Sequence, residues 1–428
     1  MFKFGGRKNY LPYTMHFNEN TRVKIPAILH LCRLGYSYLS LKKSCWDEST
    51  NIFTDIFKES VQRINPELDK FNVQQVLDEV LLCLDNEDLG RAFYEKLMNR
   101  SGTKLIDFEN FANNSLHVVT ELPCRKDDEE FRPDITLLIN GMPLMFIEVK
   151  KPNNQDGILA EHKRIQTRFS NKKFRKFVNI TQLMVFSNNM EYDANSIQPI
   201  EGAFYATASY QKPIFNYFRE EDKFDLSKLL ADEDDKLETH VLQDTNCLSI
   251  KNAAEFLTNK NPDSPTHRIC TSLFQPERLA FMLQYGIAYV KTSTGLQKHI
   301  MRYPQLFATK AIETKLNEGI KKGIIWHTQG SGKTALAYYN VKYLTDYFQK
   351  KAVVPKFYFI VDRLDLLIQA GREFKARGLV VHEINSREAF AQDIKSTQVI
   401  HNHSGKSEIT VVNIQKFQDD PDVLHNND

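Results

Sequence analysis

Two apolar runs about one third of the way along the chain, residues 135–139 and 143–149, are separated by an Asn-Gly pair. Asn-Gly between runs of β-branched and other large apolar residues is typical of a tight β-hairpin. Side chains two positions apart in a strand lie on the same face, so the hairpin would place Glu148 and Lys150 together. The pattern therefore predicts two adjacent strands that carry charged side chains.

The register of this hairpin decides whether Asp134 joins them. A two-residue loop would place Ile147 opposite Asp134 and turn Glu148 to the other face. A three-residue loop with a G1 bulge would pair Ile139 with Pro143, and hence Asp134 with Glu148. We expect that register, or a bulge that compensates for a shorter loop.

Acidic side chains that face each other across two strands repel, so a pattern that keeps them favours a cation between them. Two carboxylates suit Mg²⁺, which keeps several waters and binds few protein oxygens. We therefore predict Asp134 and Glu148 as catalytic metal ligands, with Lys150 orienting the attacking water or offsetting negative charge. This layout favours phosphodiester hydrolysis, although an isolated motif of this kind more often marks an ordinary solvated hairpin.

Amphipathic periodicity predicts helices before the hairpin and strands on both sides of it. The helices are expected over 21–39, about 52–64 and 73–98, and the strands near 104–108, 114–122, 182–189 and 203–209. Glu19 lies at the start of the first helix. It is either a third metal ligand or an acid favoured by the helix dipole.

A strongly basic stretch follows the hairpin, at residues 157–178. Its cations are Lys163, Arg164, Arg168, Lys172, Lys173, Arg175 and Lys176, interleaved with three phenylalanines. Charge runs of this kind commonly form a solvated helix face. Because this run directly follows the predicted catalytic residues, we predict that it binds the DNA phosphate backbone.

A phosphate-binding loop is predicted in residues 323–334, where a short apolar strand ends at Trp326 and a Gly-rich loop leads into a helix. Backbone amides of such a loop and the helix N-terminus cradle phosphates, while the lysine contacts the terminal ones and the threonine meets Mg²⁺. His327 replaces the first glycine of the usual pattern. The predicted nucleotide contacts are Thr328, Gln329, Gly330, Ser331, Gly332, Lys333 and Thr334.

Strands and helices that alternate after this loop predict a parallel, doubly wound sheet, and hence an α/β protein. An acidic run at 220–238 separates the two centres and is expected to be surface helix and linker. A helix over 272–290 would deliver the chain to the second domain. We therefore divide the chain into residues 1–240, a linker or helical connection over 241–300, and residues 301–428.

With 428 residues the chain is long enough for two or three domains. Its 42% hydrophobic and 26% charged residues are ordinary for a soluble protein, and its net charge of +2 alone does not indicate nucleic acid. Six cysteines without CxxC spacing indicate neither a zinc site nor a disulfide framework. No apolar run is long enough to span a membrane and no signal-peptide core is present, so we expect a cytoplasmic protein without a membrane partner.

The motifs, in this order, resemble those of the motor and nuclease (R) subunit of Type I restriction-modification enzymes. They are RPDITLLINGMPLMFIEVKKP for a PD-(D/E)xK nuclease, MRYPQ for an adenine contact, and WHTQGSGKT, IVDRLDLLIQ and ITVVNIQKF for helicase motifs I, Ia and Ib. The resemblance implies a PD-(D/E)xK restriction-endonuclease-like domain in residues 1–240 and the first RecA-like helicase domain in 301–428. It implies Mg²⁺ and ATP as cofactors and Gln305 as an adenine reader. It also implies cleavage of double-stranded DNA after ATP-driven translocation, with methylation and specificity subunits as partners.

Two features depart from the family pattern. The Q-x-x-x-Y motif that follows the catalytic lysine is represented only by Gln166 and Phe169. The sequence ends at Asp428, before a Walker B box and a second RecA-like domain, so we expect this chain to bind ATP or ADP without useful hydrolysis.

Two other functions are compatible with these motifs. One is a DNA- and nucleotide-binding assembly module without motor activity. The other is a single-chain or Type III-like restriction helicase and nuclease. Methyltransferase motifs are absent from this sequence, which favours a separate methylation subunit.

Overall fold

The computed structural model describes residues 18–152, 155–191, 202–328, 330–384, 386–396 and 407–414, with the backbone alone for 155–160. Helices and strands are mixed along the chain, which makes it an α/β protein. None of the helices in these ranges has the length and apolarity needed to cross a bilayer.

The N-terminal part consists of helices that surround one large sheet. Its helices are α1 Ile25–Arg33, α2 Thr54–Ile64, α3 Lys70–Leu84, α4 Arg91–Leu97, α5 Gln155–Ser170 and α6 Arg175–Ile180. Its strands are β1 Ser37–Tyr38, β2 Leu116–Thr120, β3 Cys124–Lys126, β4 Glu129–Phe131, β5 Ile135–Ile139, β6 Met142–Val149, β7 Leu183–Ser187, β8 Ala203–Ala206 and β9 Asn216–Tyr217. A π-helical turn, Asn20–Lys24, precedes α1.

Seven of these strands form one mixed sheet in the order β1-β2-β5-β6-β7-β8-β9. β6 lies in the middle, antiparallel to β5 and parallel to β7. All residues of β5 and β6 are buried, as expected for central strands that are covered on both faces. The end of β6, where Glu148 lies and Lys150 follows, is therefore held by fully buried strands.

The hairpin of β5 and β6 has a two-residue loop, so the predicted three-residue loop is wrong. Ile139 pairs with Met142, and Asn140 and Gly141 have φ of 52° and 76°, as in a type I′ turn. The pairing then shifts by one position, because Leu144 is an extra residue in β6. The compensating bulge, predicted as the alternative, is confirmed.

Residues 104–108, predicted as a strand, form an irregular segment instead. Asn65 accepts from the Lys104 amide at 2.8 Å and donates to the Lys104 carbonyl at 2.9 Å. Asn140 donates to the Leu105 carbonyl at 2.8 Å. The strand prediction is wrong because side-chain amides satisfy this buried backbone in place of a neighbouring strand.

The single helix predicted over 73–98 is interrupted between α3 and α4. The intervening turn contains Leu89 and Gly90, both at positive φ. The carboxylate of Asp88 accepts from three successive amides that end at Ala92, and so caps α4. An aspartate two residues before a glycine was the sequence signal for this break.

The part predicted as a connection, 241–300, is folded against the N-terminal helices. The elements from 226 to 300 are α7 Leu226–Leu229, α8 Asp235–Asp244, α9 Ala254–Asn259, α10 Pro265–Phe274, α11 Pro276–Tyr285, β10 Ile287–Thr292 and β11 Gly295–Ile300. α10 packs along α1, where the rings of His30 and His267 stack with centroids 4.6 Å apart. The Tyr36 hydroxyl donates to the Phe274 carbonyl at 2.9 Å.

The helix predicted over 272–290 is divided among α10, α11 and β10. Gln275 has an extended backbone, as expected for a residue before proline, and Pro276 opens α11. After Gly286 the chain enters β10, which pairs with β11 as an antiparallel hairpin. The prediction of one helix missed the boundary that Pro276 indicates.

The C-terminal part contains a three-stranded parallel sheet, β12-β14-β13. Its elements are α12 Tyr303–Asn317, α13 Lys333–Gln349, β12 Tyr358–Val361, α14 Leu364–Ala376, β13 Val380–Ile384, α15 Arg387–Lys395 and β14 Glu408–Asn413. The strand predicted before the phosphate-binding loop is wrong, because residues 321–328 have no regular structure. Ile324 and Trp326 are 92% and 91% exposed, so no described strand buries them.

The C-terminal half of α13 is anchored to the N-terminal part. Arg100, just after α4, forms a bidentate ion pair with Asp346, to which the Tyr285 hydroxyl also donates. Lys342 donates to the Tyr94 hydroxyl at 3.0 Å. Burial lowers the pKa of Lys342 to about 7. The helix that starts at the phosphate-binding loop thus ends in a polar network with the other half of the chain.

Gly141→Ala is expected to destabilise the hairpin. A Cβ atom there would lie 2.5 Å from the Phe53 carbonyl oxygen and 2.8 Å from the Phe57 amide nitrogen. The positive φ adds backbone strain for any residue with a side chain. We expect the free energy of unfolding, measured by urea denaturation, to fall by roughly 2 to 4 kcal/mol.

Gly35→Ala is the matched control. Gly35 also has a positive φ, 105°, but nothing lies within 4 Å of its Cβ position. We expect a loss of about 1 kcal/mol from strain alone. Equal losses in the two variants would show that the close approach to α2 does not hold the turn.

Candidate functional site

Asp134 and Glu148 face each other at the open end of the bulged hairpin. Ile135 pairs with Ile147, so the residues immediately outside this pair lie opposite each other across the strands. The Asp134 carboxylate also accepts from the Val149 amide at 3.0 Å, which ties it to the end of β6. The bulge thus brings together the two acids that the sequence predicted as a pair.

Glu148 is a buried acid, with 3% of its surface exposed. Burial, followed by the carboxylates of Asp134 and Glu161, raises the pKa of Glu148 well above its usual range. Arg168 and Lys150 oppose this shift. The charged form of Glu148 therefore depends on a positive charge beside it.

Lys150 lies among the acids. Its ammonium group is 3.7 Å from an Asp134 oxygen and 3.5 Å from a Glu19 oxygen. It also donates to the Val149 carbonyl at 2.8 Å. The pKa of Lys150 is raised above its usual value. Burial alone would lower this pKa, but the carboxylates of Asp134, Glu19 and the other nearby acids outweigh burial. Lys150 is therefore a protonated group that can donate to an oxygen, and not a proton acceptor.

Glu19 belongs to the same group of side chains. It precedes the π-helical turn at the start of the first helix, and its partner is Lys150. Burial raises the pKa of Glu19, Lys150 lowers it and Asp134 raises it further. The observed contact makes Glu19 a counter-ion of Lys150, and its role as a metal ligand stays a prediction.

Two residues of this centre, Glu161 and Lys24, were missed by the sequence analysis. Glu161 is 1% exposed and lies 3.0 Å from Arg164 and 3.4 Å from Arg168. Lys24 is also buried and lies 3.8 Å from Asp134. The sequence held a signal for Glu161, because an acid and two arginines at spacings of three and seven share one helix face.

The oxygen chemistry of the centre suits magnesium. Asp134 and Glu148 supply two hard carboxylate donors, the number that Mg²⁺ commonly takes from a protein. Lys150 and Arg168 already lie against the two acids, so repulsion between the acids does not by itself require a metal. Within the described ranges, no three acidic, histidine or cysteine side chains are grouped so that they could hold a metal ion. Metal binding therefore stays a prediction.

The basic stretch predicted to bind DNA is largely paired with acids. Arg164 and Arg168 contact Glu161. Lys173, Arg175 and Lys176 pair with Glu129, Glu87 and Asp85 at 2.8, 2.6 and 3.2 Å. Lys163 and Lys172 are exposed and form no ion pair with a described residue. Because neutralised cations attract phosphates less, these two lysines carry most of the predicted interaction.

The phosphate-binding loop leads directly into α13. Gly330 and Gly332 have φ of 77° and 85°, which residues with a side chain rarely adopt. Ser331 between them is buried, and α13 begins at Lys333, with Thr334 in its first turn. The loop therefore delivers the chain to a helix N-terminus, which is where proteins bind phosphate.

Lys333 is held by the loop itself. Its ammonium group is exposed and donates to the carbonyls of His327 and Thr328 at 3.2 and 3.1 Å. A lysine bonded only to backbone carbonyls can exchange them for phosphate oxygens, so the residues present fit a nucleotide. Gln329, also predicted as a contact, lies outside the described residues.

Gln305, predicted as an adenine reader, is 3% exposed and contacts the phosphate-binding loop. Its side-chain amide donates to the carbonyls of Ser331 and Gly332 at 3.4 and 3.2 Å. Its side-chain oxygen accepts from the Arg302 amide at 2.9 Å. A cavity of about 440 Å³, lined in part by Gln305 and Tyr339, opens beside the loop. Adenine recognition stays a prediction, and the observed contacts hold the loop in place.

Comparison with known families gives matches to both halves of the chain. Residues 16–196 match the family described as Type I restriction enzyme R protein N terminus. Residues 298–427 match the family described as Type III restriction enzyme, res subunit. The first match contains the acidic centre and the second contains the phosphate-binding loop.

Known proteins that resemble the chain are named as type I restriction enzyme endonuclease subunits. MjaVIIP from Methanocaldococcus jannaschii is 28% identical over 335 residues, which are 74% of this chain and 26% of that protein. HindI from Haemophilus influenzae is 24% identical over 348 residues, which are 75% of this chain and 28% of that protein. The chain thus spans about a quarter of the length of these relatives. The resemblance deduced from the motifs is confirmed: the chain is a relative of Type I restriction enzyme R subunits, with a helicase-like part after its N-terminal part.

Proposed function

We propose that the protein acts as the R subunit of a Type I restriction enzyme, which cuts duplex DNA in a Mg²⁺-dependent reaction coupled to ATP-dependent translocation. The observation that carries this proposal is the convergence of Asp134, Glu148 and Lys150 at one end of the bulged hairpin. The names of the relatives, which are endonuclease subunits, support it.

Each residue of the centre has a chemical role in this proposal. Asp134 and Glu148 would hold the magnesium ion, which when bound polarises a phosphoryl oxygen and lowers the pKa of a water molecule. Lys150 donates a hydrogen bond to the attacking water or to a phosphate oxygen, and offsets the charge that develops there. Glu19 keeps Lys150 protonated and in place.

In the C-terminal part, the proposed ligand is ATP. The backbone amides between Gly330 and Thr334 and the N-terminus of α13 would bind its phosphates, with Lys333 on the terminal ones. Gln305 fixes the carbonyls of the loop, and so the direction in which the loop amides point. Translocation is proposed for the complete protein.

The proposal includes the finer fold assignments and the partners. We assign residues 1–240 to the PD-(D/E)xK fold, on the order of helix, three strands, helix and strand around β6. We assign 301–428 to the first RecA-like domain, on the parallel sheet and the phosphate-binding loop. The methylation and specificity subunits of a Type I complex are the proposed protein partners, in the cytoplasm.

A second candidate is a DNA- and nucleotide-binding module without motor activity. It is favoured by the segment before the phosphate-binding loop, which has no strand and exposes Ile324 and Trp326. Nucleotide binding by the loop does not require a strand there, so the two candidates differ in hydrolysis and not in binding.

Lys150→Ala should abolish Mg²⁺-dependent nicking of plasmid DNA by the assembled enzyme while leaving its ATPase intact. The loss follows because no other described lysine lies against both Asp134 and Glu19. Nicking is measured by conversion of supercoiled to open-circular plasmid. Lys151→Ala, which removes the exposed neighbouring lysine, is the matched control and should nick at close to the normal rate. Undiminished nicking by Lys150→Ala would remove Lys150 from the reaction.

Neutralising Lys172, Lys173, Arg175 and Lys176 together should weaken DNA binding regardless of sequence. The slope of log affinity against log salt should flatten by roughly one unit for each phosphate that the protein no longer neutralises. The ion pairs that cations of this stretch form with nearby acids allow a more specific expectation. Lys163→Gln with Lys172→Gln should flatten the slope more than the matched pair Arg175→Gln with Lys176→Gln, whose cations already have acid partners. An unchanged slope in the quadruple variant would make the stretch an ordinary solvated face.

Lys333→Ala should weaken ATP and ADP binding to this chain by at least about tenfold, because it removes the charged contact to the terminal phosphates. The measurement is isothermal titration of the chain with each nucleotide. Lys350→Ala, at the exposed far end of the same helix, is the control and should bind normally. Equal affinities for the unaltered chain and Lys333→Ala would contradict nucleotide binding at this loop.

A further inference from the structure

We propose that Arg168 forms an ion pair with the carboxylate of Glu148 until a divalent cation binds to that carboxylate. The displaced guanidinium of Arg168 then remains paired with Glu161. In this role Arg168 is a positioning residue that acts through Glu148. The proposal rests on the nuclease function proposed above and assigns a role to helix α5, which follows the catalytic hairpin in sequence.

The geometry places one nitrogen of Arg168 between two buried acids. It lies 3.2 Å from an oxygen of Glu148 and 3.4 Å from an oxygen of Glu161. The guanidinium also rests on the ring of Phe131, with its central carbon 4.7 Å from the ring centroid. A cation shared by two carboxylates can leave one of them and remain paired with the other.

Charge balance explains why Arg168 would change partners when a divalent cation binds. A buried carboxylate without a partner is costly, so Glu148 needs Arg168 when no metal ion is bound. Once Asp134 and Glu148 together balance a divalent ion, Arg168 becomes a surplus positive charge in a buried site. Glu161 balances that surplus, because its carboxylate already contacts Arg168 at 3.4 Å and Lys150 at 3.7 Å and is not one of the two predicted metal ligands.

Arg164 is the neighbouring cation on α5 that contacts Glu161 but not Glu148, so it lacks the exchange of partners proposed for Arg168. It lies one turn earlier on α5 and contacts Glu161 at 3.0 Å, with 58% of its side chain exposed. Within the described residues it has no contact with Glu148. Removing Arg164 therefore changes the local charge by the same amount without freeing the predicted metal ligand.

Titration of the full chain with Mn²⁺ alone, in the absence of DNA, tests the proposal. Arg168→Gln should lower the dissociation constant by about tenfold, because Glu148 is no longer occupied. Glu161→Gln should raise it by about threefold or more, because Arg168 then has only Glu148 as its partner. Arg164→Gln should change it by less than about twofold, since its charge is exposed and screened by water.

The double variant separates this mechanism from a general effect of charge. If Glu161 acts through Arg168, then Glu161→Gln should have no further effect in the Arg168→Gln chain. Additive effects, or an Arg168→Gln chain that binds Mn²⁺ no more tightly than the unaltered protein, would overturn the proposal. The nuclease function fails separately, if the unaltered chain binds no Mn²⁺ or if Asp134→Ala leaves the binding unchanged.

Discussion

One extra residue in a buried strand determines which side chains share a face of the sheet. Side chains alternate along β6, so without Leu144 the acid and the lysine near its end would lie on the face away from Asp134. The register cannot slip, because the turn is fixed at its other end by Asn140 and by contacts with α2. The chemistry proposed for the protein thus depends on a packing detail at Leu144, four residues before Glu148 and about 13 Å away along the strand.

Ion pairs account for how the acidic centre accommodates its charges without a ligand. Each of the two predicted metal ligands has a buried or partly buried cation against it: Lys150 and Lys24 lie near the partly buried Asp134, and Arg168 lies near the buried Glu148. Buried charges are tolerated when they are paired in this way, and leaving one unpaired is costly. The side chains of the centre are therefore already paired, and in the proposed function a ligand would exchange partners with them instead of assembling the centre.

Much of this arrangement could be predicted from the sequence, because it depends on local patterns. Asn-Gly between apolar runs indicated the hairpin, and the spacing of acids and lysine along it indicated the shared face. The position of the bulge could not be predicted, since the apolar character of Leu144 suits either face. The irregular segment at 104–108 was missed for another reason: its partners are the side chains of Asn65 and Asn140, which are distant in sequence.

The helix α13 extends from the phosphate-binding loop to contacts with the N-terminal part. Its 17 residues span about 26 Å, with the phosphate-binding loop at one end and the pair of Asp346 with Arg100 near the other. A helix of this length is stiff, so a tilt at the loop either carries the neighbouring helix α4 with it or breaks a partly buried ion pair. Removing the residues before α12 would leave Asp346 without Arg100 and Lys342 without Tyr94. The phosphate-binding loop is therefore linked to the N-terminal part by the polar contacts of α13, although the motifs of the two centres are almost two hundred positions apart.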